Sequence, residues 1–228
     1  MKHPHTLLLD VTTQCNLCCP YCFGPKKGSK KDRSLEELKE EIKEASKNGF
    51  KVIIISGGEP LLRKDIPQLI KLAKEDGLYT ILHTNGILLT KNLVDKLEPH
   101  LDQLNLPLDG FDEISNDALR GEGHYKKVVK AMDLIRGRDI KMVVSTVANS
   151  RNREFISKIA EIIPEWTFKW RVFQFKQTKQ VKAEAAVFEI PDNEFNKISE
   201  TIKNIPKPFE VEMVPREDKL FYKSYTER

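Results

Sequence analysis

The sequence predicts an α/β fold, a partial (β/α)6, TIM-like barrel with parallel strands and a C-terminal extension. Short apolar runs rich in Ile, Leu and Val alternate with amphipathic stretches of helical period, the pattern of repeated βα units around a parallel sheet. Motifs that combine glycine with polar residues follow strand after strand on the carboxyl side, where parallel barrels gather their ligands. At 228 residues the chain suits one sizeable core. The expected organisation is one domain over 1–228, with a core of about 6–175 and an extension of about 176–228.

The expected strands are 6–11, 51–56, 78–83, 103–108, 140–147 and 168–174, six in all. Ser34-Leu35-Glu36-Glu37 is a capping box, and Gly49 stands where a helix should stop, so 35–48 is a helix with both ends specified. Segments 65–76, 91–99, 125–137 and 151–163 supply the remaining crossover helices. A late helix at 192–204 and a short strand at 209–214 fall in the extension. Pro107 removes a ladder donor, so the fourth strand should end there.

With 38 basic and 34 acidic residues the net charge is only +4, so no overall field demands a polyanionic partner. The densest basic stretch, 25–33, is expected to be a solvated loop, with a phosphate or RNA contact as the alternative. No 18-residue apolar run is present to cross a bilayer, and the short apolar stretch at 6–9 runs into Asp10 without a cleavage signal. A cytoplasmic location is expected.

All four cysteines lie in Cys15-Asn16-Leu17-Cys18-Cys19-Pro20-Tyr21-Cys22, directly after the first strand. A reducing compartment and such tight spacing disfavour disulfides. A structural zinc ion usually draws ligand pairs from separated segments, which eight contiguous residues do not offer. Iron–sulfur clusters are held by thiolates on short loops, and three thiolates leave one iron with an open position.

The CxxxCxxC array of Cys15, Cys19 and Cys22, with Tyr21 before the last cysteine, resembles the signature of the radical SAM superfamily. That resemblance implies a [4Fe-4S] cluster on these three cysteines, with S-adenosylmethionine (SAM) on the open iron. It also implies an external electron donor of flavodoxin or ferredoxin type, and hydrogen abstraction by a 5′-deoxyadenosyl radical. Cys18 falls outside the spacing. Ser56-Gly57-Gly58-Glu59-Pro60 resembles the family's GGEP motif, with Gly57, Gly58, Glu59 and Pro60 as SAM contacts; the glycines would let the backbone approach the ligand, and Glu59 could accept from its ammonium group. Thr84 and Asn85, after the third strand, resemble the polar strand end that faces SAM. Asp109 ends the fourth strand, where Pro107 replaces a serine often found in the family. Arg120 resembles an arginine that pairs with the SAM carboxylate, a solvated loop arginine being the alternative. Asn149 would lie on the adenine side.

No cysteine follows Cys22 in the sequence, so cysteine-ligated auxiliary clusters are not expected in it. Lys169-Trp170-Arg171-Val172-Phe173-Gln174, Phe188 to Phe195, and Val214-Pro215 with Ser224-Tyr225 resemble viperin-like single-cluster members. This implies a small-molecule substrate, a nucleoside triphosphate dehydrated by a lyase reaction, with Lys39, Lys169 and Arg171 facing phosphates and Tyr225 guarding the radical site. Val143 stands where those members carry a lysine. Rival readings are a radical SAM protein acting on RNA, a peptide or another metabolite, and a noncatalytic metal-binding module. Neither a membrane partner nor nucleic acid is expected.

Overall fold

The computed structural model describes residues 5–25, 27–28, 31–175, 177, 183–217 and 223–224. Its elements run β1 (Thr6–Asp10), α1 (Leu35–Lys47), β2 (Val52–Ser56), α2 (Ile66–Glu75), β3 (Tyr79–His83), α3 (Lys91–Leu97), β4 (Gln103–Pro107), α4 (Glu113–Arg120), α5 (His124–Ile135), β5 (Lys141–Ala148), α6 (Ile156–Ile162), β6 (Lys169–Gln174), α7 (Asp192–Lys203), β7 (Glu210–Val214) and β8 (Lys223–Ser224). The strands form one parallel sheet in the order β7-β6-β5-β4-β3-β2-β1-β8. Its two edges do not pair with each other, so it is an open, partial barrel. The six expected strands are all present. The short strand anticipated at 209–214 is β7, which joins the same sheet, and β8 adds a second edge.

Parallel register sorts the strand residues onto two faces, because side chains alternate along each strand and partners in register share a side. Leu7, Leu9, Ile53, Ile55, Leu82, Leu104, Leu106, Met142, Val144, Trp170 and Val172 make the outer face, packed with the helices into the main core. Trp170 is fully buried and donates from Nε1 to Thr146 Oγ1 at 2.9 Å. The inner face is mixed by contrast: Ser56, His83, Asn105, Ser145, Lys169, Arg171 and Glu212 share its parity with the apolar Leu8, Ile54, Ile81 and Val143. Such a face needs a ligand, water or mutual pairing to satisfy it.

The capping box at Ser34 forms as expected. Ser34 Oγ accepts from Glu37 N at 3.2 Å, and Glu37 accepts from Ser34 N at 2.7 Å. β4 stops at Pro107. Pairing with β3 has already ended at His83 and Asn105, so the missing proline donor costs no ladder bond there, while Leu108 N still donates to Ser145 O at 2.9 Å. Residues 151–155 form turns rather than the expected start of α6. There Asn152 Oδ1 accepts from Asn149 N at 2.8 Å, the local competition with helix that asparagine favours.

Candidate active site

The loop after β1 carries the cysteines, and the loop after β2 is locked onto it. Gly58 N donates to Thr12 O and Glu59 N to Gln14 O, both at 2.8 Å. Gly57 sits at φ 134°, and a methyl group there would collide with Thr12 O; one on Gly58 would collide with Gln14 O. The glycines therefore serve a backbone-to-backbone approach between two loops, in addition to any approach to a ligand.

Cys15, Cys19 and Cys22 line one cavity of about 190 Å³ together with Leu17, Ser56, Gly58, His83, Thr84, Asn85, Asn105, Leu106, Pro107, Arg120 and Ser145. Cys18 is exposed and not part of the lining. Burial raises the Cys15 and Cys19 thiols above the usual value, and the other cysteines raise them further: Cys22 acts on Cys15, and Cys22 and Cys15 on Cys19. Two partly buried thiols whose ionisation burial and the neighbouring cysteines disfavour suit a cationic group that would take them as thiolates. Among the described residues no three His, Cys, Asp or Glu side chains converge as they would on a single ion.

Behind the cavity wall is a buried carboxylate hub. Asp109 Oδ2 accepts from Tyr21 OH at 2.5 Å and from Arg120 Nε, while Oδ1 accepts from Val147 N at 2.7 Å. The Arg120 guanidinium also lies 5.6 Å from the Tyr21 ring centroid. Burial pushes the Tyr21 phenol well above its ordinary value, the positive Arg120 opposing and the negative Asp109 reinforcing the rise. Arg120 is therefore no loop arginine. It occupies the last turn of α4, a helix the sequence did not signal because its N-cap pair is Asp112 with Ser115 rather than a serine or threonine with glutamate. Its backbone carbonyl meets Cys19 Sγ at 3.6 Å, tying the helix end to the cysteine loop.

The Glu59 carboxylate is fully buried and already accepts three bonds, from Leu61 N at 2.9 Å, Thr84 Oγ1 at 2.7 Å and Asn85 N at 2.7 Å. Burial raises its pKa and these donors lower it. It fixes the β3 end and is not among the residues that line the cavity. Asn85 in turn donates from Nδ2 to Asn16 Oδ1 at 2.7 Å, joining that strand end to the cysteine loop. Beneath it lies His124, wholly buried. Asn116 Oδ1 accepts from Asp109 N, so its amide nitrogen donates to His124 Nδ1 at 3.0 Å, and Nε2–H then donates to Asn85 O at 3.2 Å. Burial holds His124 at a pKa of about 4, in keeping with this neutral tautomer.

Of the expected site residues, Cys15, Cys19, Cys22, Gly58, Thr84, Asn85 and Arg120 meet around one cavity. Tyr21, Gly57, Glu59, Pro60 and Asp109 stand behind it as its frame. Asn149 is wholly buried and its side chain bonds backbone, donating to Val147 O at 2.9 Å and accepting from Arg151 N at 2.9 Å. Lys39 is half-buried on α1, away from the lining. Lys169 and Arg171 lie further along the inner face, and Tyr225 lies outside the described residues. The basic stretch is partly structural, since Arg33 pairs with Glu41 and donates to Asp10 O at 2.9 Å. Ser56, Asn105 and Ser145 were not singled out as ligand contacts; their signal was polarity at alternate positions near strand ends.

The family model described as the Radical SAM superfamily matches residues 9–162. The chain belongs to that superfamily. Membership brings the family's cofactors, a [4Fe-4S] cluster and SAM. Curated relatives of this radical SAM chain include the AdoMet-dependent heme synthase of Methanosarcina barkeri, 32% identical over 71% of this chain and 48% of that protein. They include also the Fe-coproporphyrin III synthase of the same organism, 31% identical over 68% of this chain and 40% of that protein. The chain thus spans about half the length of the curated relatives it matches. In fold it is similar to Streptococcus suis SuiB bound to S-adenosylmethionine, with TM-score 0.75, 20% identity, and 92% of this chain against 50% of that one. TYW1 with a lysine-pyruvate adduct gives TM-score 0.62 at 19% identity over 88% of this chain and 74% of that one. No helix among the described residues is long and apolar enough to cross a membrane.

Proposed function

We propose that this chain is a single-cluster radical SAM enzyme, one domain whose core holds the cofactors and whose extension helps to select an anionic small molecule. The carrying observation is the shared cavity of Cys15, Cys19 and Cys22 with Gly58, Thr84, Asn85 and Arg120. Cys15, Cys19 and Cys22 would hold the cluster. Arg120, steadied by Asp109, would face the SAM carboxylate, and Thr84 and Asn85 would offer polar contacts beside it. When bound, the cluster and SAM, with an electron from an external flavodoxin or ferredoxin, supply the carbon radical that removes a substrate hydrogen. The chain's own part is to keep the three thiols together, orient the ligand and exclude water. Ser56, His83, Asn105 and Ser145 then form the polar floor on which a substrate would sit. Burial holds His83 at a pKa of about 4, so it is neutral near pH 7 and offers hydrogen bonds rather than charge.

The nucleoside triphosphate reading rests on the β6 motif with Lys169 and Arg171 and on the extension that follows it. A second reading, favoured by the names of the curated relatives, is an iron porphyrin bearing carboxylates. Both are anionic, and both fit a cytoplasmic enzyme that keeps its four cysteines unpaired. Anaerobic reconstitution with SAM and dithionite, with each nucleoside triphosphate or with iron coproporphyrin III, tests the proposal through 5′-deoxyadenosine and product mass. A rise with one nucleotide and a product lacking one water supports the first reading; a rise with the porphyrin supports the second. No 5′-deoxyadenosine from well-loaded protein under any condition rejects the chemistry itself.

A further inference from the structure

On the inner face β6 and β7 bring two cations and a carboxylate into one network. Lys169 Nζ lies 3.1 Å from Glu212 Oε2, and Arg171 Nη2 lies 3.0 Å from Glu212 Oε1. Register explains the meeting, since Arg171 pairs directly with Glu212 across the two strands and Ser145, which lines the cavity, pairs with Arg171 on the other side. Arg171 is mostly buried and, among the described residues, its Nε has no partner. Its guanidinium sits 4.9 Å from the Phe173 ring centroid, which helps to hold the plane. Its charge also reaches His83, whose pKa it lowers after burial. A mostly buried guanidinium with one donor orphaned among the described residues and another on a half-exposed carboxylate is short of acceptors. Glu210 also touches Lys169 at 3.1 Å, yet that carboxylate is more exposed and has no bond to Arg171.

We propose that Glu212 is a specificity-determining residue, an internal counter-ion that occupies Lys169 and Arg171 in the ligand-free protein and is displaced by the anionic group of the substrate. This rests on the proposed function and deepens it, naming an anion-bearing substrate and the carboxylate it must replace. With Val143 in register beside Lys169, no additional cation stands at that level of β5. Glu212 thus lowers affinity for every anion and favours one that presents several oxygens to both cations at once. The anion is the shared chemistry of phosphate and carboxylate ligands.

Isothermal titration of anaerobically reconstituted holoprotein with sodium tripolyphosphate and, separately, with citrate tests this and tells the two sources apart. Glu212→Gln should tighten at least one of these anions about tenfold, corresponding to about 1.4 kcal/mol, and adding Arg171→Gln should remove the gain. Glu210→Gln should change affinity less than twofold. Glu212→Ala provides a second variant of different shape, and thermal melting shows that each is folded. No gain with either anion in both Glu212 variants, or a gain that survives Arg171→Gln, overturns the proposal. Reductive cleavage of SAM by the unaltered holoprotein reports separately on the proposed chemistry. If cleavage occurs and the gain does not, the role of Glu212 falls alone; if cleavage fails, the proposed function falls as well.

Discussion

Replacing Asp109 by asparagine should destabilise the fold far more than its single-atom change suggests. The aspartate side chain is wholly buried and takes three donors, Val147 N, Tyr21 OH and Arg120 Nε. In the variant the amide oxygen can keep Val147 N, and the Tyr21 hydroxyl can rotate to accept from the new NH2. Arg120 has no acceptor to offer, so its guanidinium faces a donor across a site where it is only 15% exposed. Breaking a buried pair by removing one partner costs about 3–5 kcal/mol. Arg120 keeps some access to the cavity, which places the expected loss near 3 kcal/mol, a large share of a typical domain's stability. Urea denaturation of cluster-free, reduced protein measures it. Arg120→Met in the same background removes the stranded cation, and the cycle should return a coupling of about 2 kcal/mol. A loss below about 1 kcal/mol for Asp109→Asn, or a double variant no more stable than the single one, refutes the hub.

Three further outcomes are expected. Cys15→Ser, Cys19→Ser and Cys22→Ser should each lose most bound iron on reconstitution, while Cys18→Ser, at an exposed sulfur outside the cavity, should retain it by iron and sulfide assay. Gly58→Ala should destabilise by several kcal/mol and lower iron content, since the new methyl overlaps Gln14 O in the cysteine loop. Stability should fall on acidification: His124 has a folded pKa of about 4 against 6.5 unfolded, so the unfolded chain binds the proton first. The loss sets in below about pH 6.5, continues towards pH 4 and reaches about 3 kcal/mol at most from this residue. His124→Asn should flatten that slope in denaturation at stepped pH.

Features set by neighbours in sequence were legible before the structure. The Ser34 box fixed the start of α1, the apolar runs fixed six strands, and Pro107 marked where β4 ends, since each depends on local backbone chemistry. The cysteine spacing likewise singled out Cys15, Cys19 and Cys22, which share one cavity, because three thiols on one loop need little help from tertiary contacts. α4 escaped because a short helix with an aspartate–serine cap leaves a weak trace, and with it went the correct setting of Arg120. The two glycines of the β2 loop were legible as a need for close approach, whereas what they approach, the Thr12–Gln14 backbone, depends on packing between loops.

Side-chain partners across the sheet were beyond local pattern. Arg171 and Glu212 are 41 residues apart and meet only because β7 joins the parallel sheet beside β6 in a register that faces them inward. The family model ends at residue 162, before either residue, so this pairing belongs to the part of the chain where substrate choice can diverge while the cysteine cavity stays the same. A cation on β6 therefore says little about its ligand until its counter-ion is known. With Glu212 in place Arg171 is a competitor's partner, and with Glu212 displaced it is an anion site. If Glu212 has the proposed role, selectivity for the charge of the substrate would be set by that exchange rather than by the lysine and arginine alone.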